Sequence, residues 1–74
     1  MDPAPVYVQL AAILRARIES GEYAPRSPLP SEKTLGQDHG LSRGSVRHAL
    51  QVLEDEKLIV IIQGRGSYVL DRPA

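Results

Sequence analysis

The sequence predicts a small, mainly α-helical domain that ends in a β-hairpin. Three stretches carry apolar residues at helical spacing, and glycine or proline separates them from one another. A run rich in β-branched residues follows, and a loop with two glycines separates it from a second short run. The chain has 74 residues, which is the size of one small domain. We therefore expect one domain of three helices and one hairpin.

The first helix is expected to begin at Val6 and to end at Gly21. Its apolar stripe follows the helical repeat and consists of Val6, Leu10, Ile13, Leu14 and Ile18. Residues 23–30 contain three prolines and cannot form the interior of a helix. Leu29 is expected to lie in a short extended strand within that segment.

The second and third helices are predicted to be separated by a tight turn at residues 40 and 41. Ser31 is a suitable N-cap for the second helix, and Leu35 is its apolar anchor. Ser42 is expected to cap the third helix, at about 42–56, whose apolar stripe is Val46, Ala49, Leu50 and Leu53. Two short helices joined by a glycine-containing turn form a helix-turn-helix unit, whose second helix enters the DNA major groove.

The C-terminal hairpin is predicted from residues 58–62, a loop at 63–66 and a second strand at 67–70. A hairpin that directly follows a helix-turn-helix unit is interpreted as a wing. The complete order therefore predicts a winged helix-turn-helix fold, with three helices plus the wing.

Charge placement is more informative than net charge in this sequence. Lys plus Arg is 9 and Asp plus Glu is 9, so the chain is neutral and is no diffuse polycation. Between residues 40 and 53 the formal charges are Arg43 and Arg47 alone. The acidic run 54–56 is expected to be a solvated helix end. A neutral chain with this pattern can still present one positive edge.

The residue types on that edge suit contacts with DNA. The solvent face at the start of the third helix carries hydroxyl and guanidinium groups, on Ser42, Arg43, Ser45 and Arg47. An arginine can bridge guanine O6 and N7, which discriminates by about 1–3 kcal/mol. Serine hydroxyls and free N–H groups at a helix start can hold phosphate. At the wing tip, Gly64 allows close backbone approach, and Arg65 can enter the minor groove.

Other classes of function find little support in the sequence. With no cysteine there is no disulfide, thiolate zinc site or cysteine nucleophile, and we expect neither an enzyme nor a cofactor. His39 and His48 lack metal-ligand spacing and are assigned surface or capping roles. The longest apolar run has five residues and the N-terminus lacks signal-peptide features, so we expect a cytoplasmic, nucleoid-associated domain without membrane contact.

Together these residues resemble the winged helix-turn-helix domain of GntR-type bacterial transcription regulators. The resemblance covers about residues 5–70, and its motifs lie at 5–10, 18–25, 29–35, 40–43, 46–50 and 64–69. The opening Pro5-x-Tyr7-x-Gln9 is most similar to the branch that includes the histidine-utilisation repressors. The family resemblance implies sequence-specific, usually dimeric binding to a short inverted repeat in promoter DNA, most often as a repressor.

The resemblance also implies roles for individual residues. Lys33 matches a basic position that touches DNA, and Ser31 with Glu32 matches the pair that opens the second helix. The recognition-helix contacts correspond to Ser42, Arg43, Ser45 and Arg47, with Arg43 as the expected guanine contact. Gly64 corresponds to the wing tip that meets the minor groove, and Arg65 flanks it.

Three positions depart from the family pattern. Arg26 stands where glycine is common, so that turn is expected to differ. Gly36 replaces the usual alanine, which weakens the second helix by about 1 kcal/mol. Lys57 replaces the glycine that usually caps the third helix, so an altered helix end is expected. The family also carries a C-terminal effector-binding and dimerisation domain, so we expect either a minimal regulator or an excised domain, with no assignable effector pocket.

The sequence thus divides into a flexible lead-in (1–4), the winged domain (5–70) and a short tail (71–74).

Ordinary structural roles remain alternatives for the site residues: a solvated helix arginine, a surface lysine, a turn residue or an N-cap. The alternative function is a winged-helix protein-interaction module that does not bind DNA. The zero net charge and the absent second domain motivate it, and an aliphatic patch on the face of Arg43 and Arg47 would favour it.

Overall fold

The structure is a computed structural model and describes residues 5–71. Its elements, in order, are α1 (Val6–Ser20), α2 (Glu32–His39), α3 (Arg43–Asp55), β1 (Ile59–Ile62) and β2 (Gly66–Val69). The predicted class, three helices followed by a hairpin, is therefore confirmed. The expected lead-in at 1–4 and residues 72–74 of the expected tail lie outside the described residues.

The core forms where α1 packs across α3, with α2 and the hairpin closing its sides. The predicted stripe of α3 is confirmed, because all four of its residues are at most 2% exposed, namely Val46, Ala49, Leu50 and Leu53. Leu35 of α2 and Ile59 of β1 complete this core at 1% exposure each. The face of α3 opposite the core is left on the surface.

The predicted stripe of α1 is only partly right. Leu10, Leu14 and Ile18 are buried, but Val6 is 48% exposed and Ile13 is 39% exposed. Ala11 is buried in their place, at 1% exposure. At about 100° per residue, the buried arc is centred near Leu14, and Val6 and Ile13 project roughly 100° away from that centre.

The capping predictions for α2 and α3 are confirmed. The Ser31 hydroxyl accepts a hydrogen bond from the Thr34 N–H at 3.1 Å, and the Ser42 hydroxyl accepts one from Ser45 at 3.2 Å. Gly40 ends α2 in the left-handed conformation, at φ 66°. These caps fix the tight turn that sets α3 against α2.

Gly36 has a packing reason that its helix propensity does not reveal. A Cβ atom at this position would lie 2.9 Å from the backbone oxygen of Leu41. The Leu41 N–H donates to the Gly36 oxygen at 2.9 Å, so the turn after α2 folds back against this glycine. Glycine lowers the helix propensity at this position, but its missing side chain lets the two backbone segments approach closely.

The hairpin pairs Ile59 with Val69 and Ile62 with Gly66, so every strand limit lies within one residue of the prediction. A third extended segment lies along β2. Pro28 forms an isolated bridge with Tyr68, and the Leu29 N–H donates to the Ser67 oxygen at 2.9 Å. The predicted short strand at Leu29 is therefore only partly right, because the pairing is a single bridge at the preceding residue. The wing is thus anchored to the segment that follows α1.

Arg26 and Lys57 both adopt left-handed backbone conformations, with φ of 68° and 63°. The expected change at these turns is therefore not seen, because each residue takes the conformation that glycine favours. At Lys57 two hydrogen bonds close the end of α3: Lys57 N–H to Glu54 O at 2.9 Å and Leu58 N–H to Leu53 O at 3.0 Å. This is the Schellman pattern of a helix C-terminus.

Asp55 and Glu56 of the run 54–56 are exposed, as expected of a solvated helix end, but the run also makes contacts that were not predicted. Glu56 accepts two hydrogen bonds from Arg15 of α1, at 2.6 and 2.7 Å. Glu54 accepts the N–H of Ile61 at 2.8 Å, on the free edge of β1. The acids at the end of α3 therefore join it to α1 and to the hairpin.

Within residues 5–71, no helix has the length and apolar character of a membrane span.

Candidate nucleic-acid interface

One concave surface lies between the start of α2, the exposed face of α3 and the hairpin loop. It encloses about 760 Å³. Its lining includes five of the seven residues predicted to contact DNA, namely Lys33, Arg43, Arg47, Gly64 and Arg65. We call this surface the interface groove. Residues from three separate parts of the sequence thus meet on one face.

The interface groove concentrates positive charge in a chain that is neutral as a whole. It carries four cationic side chains and a single acid, Glu32. Within residues 5–71, Lys33, Arg43 and Arg65 form no ion pair, whereas the arginines outside the groove are each paired with an acid, at Arg15, Arg17 and Arg26. Three of the four unpaired Lys and Arg side chains within residues 5–71 therefore lie in the interface groove, and the fourth is Lys57. Such a concentration of positive charge favours a polyanion despite zero net charge.

The exposed face of α3 supplies the floor of the interface groove. Arg43, Arg47 and Gln51 follow one another at i, i+4 and i+8, and all three line the groove. His48 is turned towards α1 instead, where its ring stacks on Tyr7 with centroids 3.7 Å apart and planes at 8°. His48 is thus an exposed residue that stacks against α1, which agrees with the surface role expected for it.

Arg47 is joined to α2 by a bidentate ion pair. Its Nε donates to Glu32 Oε2 at 3.1 Å, and its Nη2 donates to Glu32 Oε1 at 3.3 Å. These hydrogen bonds raise the pKa of Arg47, with the negative charge of Glu32 as the next cause. Sequence reasoning missed this pair because its members lie 15 residues apart, in different helices. No local spacing rule reports such a contact.

The two predicted serines lie outside the lining of the interface groove. Ser42 and Ser45 share a 3.2 Å hydrogen bond between their hydroxyls, and Ser42 also caps α3. Their capping role is therefore visible, and their role in DNA contact stays a prediction. Ser42 nevertheless directly precedes Arg43, so the two serines border the positive face.

The wing tip exposes its backbone. Gly64 and Gly66 have positive φ values of 79° and 113°, which side-chain-bearing residues rarely adopt. Arg65 lies between them, and its N–H donates to the Ile62 oxygen at 3.0 Å to close the turn. The tip is therefore narrow, with one cation at its end.

Among residues 5–71, no group of three or more His, Asp or Glu side chains could hold a metal ion. The interface groove is instead a basic surface whose lining also includes polar side chains and the aliphatic residues Ile61 and Ile62 of β1. Such a surface binds phosphate and the hydrogen-bonding edges of bases.

Comparison with known sequences gives one consistent result. Residues 6–69 match the family model of bacterial regulatory proteins of the gntR family. The HTH-type transcriptional repressor NagR of Bacillus subtilis (strain 168) is 42% identical over 67 residues, which cover 90% of this chain and 28% of that protein. The histidine utilization repressor of Klebsiella aerogenes is 38% identical over 69 residues, covering 93% and 29%. The chain thus spans less than a third of these relatives.

Solved structures agree with the sequence comparison. A crystal structure of AraR(DBD) in complex with an operator superposes with a TM-score of 0.88 at 31% identity, over 90% of this chain and 81% of that one. A complex with the NTD of AraR gives 0.89 at 30% identity, over 93% and 99%. These neighbours share the arrangement of three helices and a hairpin described above.

Proposed function

Because this chain belongs to the gntR family of bacterial regulatory proteins, we propose that it binds promoter DNA as part of a transcriptional repressor in the bacterial cytoplasm. The observation that carries this proposal is the interface groove, which gathers four cations of a neutral chain on one face. Relatives named as repressors and a neighbour in complex with an operator support the same function. We propose binding rather than catalysis as its activity.

In the proposed complex, α3 enters the major groove and the hairpin lies against the adjacent minor groove. One phosphate backbone separates these two grooves, so it would run through the interface groove between α3 and the wing. Lys33 would then contact phosphate, Arg43 a guanine, and Arg65 with Gly64 the minor groove. Ser42 and Ser45 would contact the DNA phosphate backbone beside the start of α3.

A single module is expected to bind weakly and with strong dependence on salt. With about three to five phosphate contacts, the slope of log affinity against log salt would be about −3 to −5. Two modules on an inverted repeat would gain affinity through effective concentration. We therefore propose that the functional form on DNA is a homodimer.

The protein-interaction alternative gains no support from α3, a helix that the structure describes completely. Its exposed residues are Arg43, Gly44, Arg47, His48, Gln51 and Asp55, and none has an aliphatic side chain. An interaction surface of this size would have an apolar centre. The exposed face of α3 therefore favours nucleic acid as the partner, and the exposed aliphatic side chain in the interface groove is Ile62 of β1, at 41% exposure.

The test is selection from a randomised duplex pool at about 50 mM salt, repeated at about 200 mM. We expect enrichment of a short inverted repeat. Lys33→Ala should weaken binding to all duplexes alike and reduce the salt slope by about 1. Lys57→Ala is the matched control, because Lys57 is also an unpaired lysine within residues 5–71 but lies outside the interface groove. Equal losses for both lysines, or no enriched sequence, would contradict the proposal.

A further inference from the structure

We infer that Glu32 is a positioning residue for base recognition: its carboxylate holds Arg47 so that the guanidinium presents a free edge to a guanine. This inference rests on the proposed DNA binding and adds a specificity-determining residue to it. The sequence assigned Glu32 only to the opening of α2. The structure places it inside the interface groove, against an arginine of the helix proposed to enter DNA.

The hydrogen-bond pattern leaves the right donors free. Glu32 takes the Nε–H of Arg47 and one N–H of Nη2. A guanidinium has five N–H donors in a planar fork, so both hydrogens of Nη1 and one of Nη2 remain. Those donors form the terminal edge of the side chain. That edge matches guanine O6 and N7, which accept a bidentate pair from arginine.

Glu32 is well placed to fix this orientation. It is the first residue of α2, directly after the Ser31 cap, so its backbone is held by the helix start. A carboxylate is also favoured at that position by the helix dipole. Arg47 has a long, flexible side chain that is 69% exposed. A partner that restricts it before binding reduces the conformational freedom lost on contact with DNA.

Stability alone does not account for the pair. Exposed ion pairs contribute little to folding, and Arg47 is mostly exposed. An acid in a groove that faces phosphates would also repel DNA. If Glu32 had no role in recognition, its removal would strengthen binding to every duplex. If it orients Arg47, its removal would instead reduce the preference for one base pair. The two roles thus predict different results.

The experiment compares wild type with Glu32→Gln, Arg47→Ala and the double variant. Each binds the duplex selected by the wild-type chain and a series in which every base pair is changed in turn. We expect Arg47→Ala to reduce the preference for one G·C pair by about 5- to 150-fold. Glu32→Gln should reduce preference at the same pair by about fivefold. The double variant should lose no more than Arg47→Ala alone, because both residues act through one contact.

Glu22→Gln is the matched control. It removes an acid from another arginine pair, Arg17–Glu22, which lies outside the interface groove. We expect its base preferences to equal those of wild type. Circular dichroism of every variant at the assay temperature establishes that differences in binding do not arise from unfolding.

Three outcomes would overturn the inference. Uniformly tighter binding by Glu32→Gln, with unchanged preferences, would make Glu32 only a repulsive charge. Loss of preference at a different base pair from that affected by Arg47→Ala would mean that Glu32 contacts a base itself. Additive losses in the double variant would show that the two side chains act separately. Failure of wild type to select any sequence would instead overturn the proposed function, and this inference with it.

Discussion

Two bidentate arginine–glutamate pairs tie α3 to its neighbours, and they lie in very different surroundings. Arg15 of α1 holds Glu56 at the C-terminal end of α3, with distances of 2.6 and 2.7 Å. Glu32 of α2 holds Arg47 in the interface groove, at 3.1 and 3.3 Å. The arginine is 33% exposed in the first pair and 69% exposed in the second. The Arg15–Glu56 pair thus joins two helices away from the interface groove, whereas the Arg47–Glu32 pair orients an exposed side chain within it.

The difference extends to the two faces of α3. The inner face is fully buried and holds the three helices together, as Leu53 at 0% exposure illustrates. The outer face carries two arginines: Arg47 is paired with Glu32, and Arg43 has no ion pair within residues 5–71. Since the proposed function places DNA recognition on the face of α3 opposite the core, mutations should separate folding from DNA binding.

The largest effect is expected from the inner face. Leu53→Ala removes a fully buried side chain and should lower the free energy of unfolding by about 2–5 kcal/mol. Urea denaturation followed by circular dichroism measures this loss. DNA binding should fall only as the folded fraction falls. A change below about 1 kcal/mol would mean that the inner face is not the centre of the core.

The outer face should show the reverse pattern. Arg43→Ala is expected to weaken binding to the selected duplex by about 1–3 kcal/mol and to relax preference at one base pair. Its free energy of unfolding should stay within about 0.5 kcal/mol of wild type. Fluorescence anisotropy and urea denaturation measure the two quantities. Arg15→Ala is the control, because it removes the same charge outside the interface groove; equal losses of base preference would contradict the assignment.

Much of the fold could be predicted because its determinants are local. Caps at Ser31 and Ser42 act over three residues, and the apolar spacing of α3 acts over two turns. The hairpin depends on a loop of a few residues between 62 and 66. Within such short distances, residue type and spacing nearly determine the backbone.

The features that sequence reasoning missed depend on how the elements pack. The Arg15–Glu56 pair spans 41 residues and the Arg47–Glu32 pair spans 15. Their formation requires the positions of whole helices. The exposure of Ile13 has the same origin, since the direction in which α1 faces the core is set by α3. Sequence analysis therefore found five of the residues that the structure brings together in the interface groove and missed the ion pairs that join the helices.

A smaller effect is expected at Lys57, which follows the C-terminal end of α3. Lys57 adopts φ 63°, which costs a side-chain-bearing residue about 1–2 kcal/mol, while glycine gains more freedom in the unfolded chain. Lys57→Gly should therefore stabilise the domain by about 0.5–1 kcal/mol net. Thermal unfolding measures the gain. Lys57→Ala removes the same charge but keeps the strained conformation, so a similar gain there would contradict this explanation.

The smallest effect concerns the Arg15–Glu56 pair and its dependence on pH. Hydrogen bonds from Arg15 lower the pKa of Glu56 below its ordinary value of 4.5 in the folded protein. Since the folded pKa is depressed, the pair stabilises the domain above pH 4.5 and loses this contribution as pH falls through the lower folded value. Both side chains are about a third or more exposed, so the contribution should stay below about 1 kcal/mol. Urea midpoints of wild type and Glu56→Gln should therefore differ at pH 7 and converge as the pH falls below 4.5, while base preference at pH 7 is the same for both. A constant difference across this range would mean that the pair does not titrate with folding. A change in base preference would mean that the Arg15–Glu56 pair also orients α3 on DNA. Mutations would then not separate folding from DNA binding.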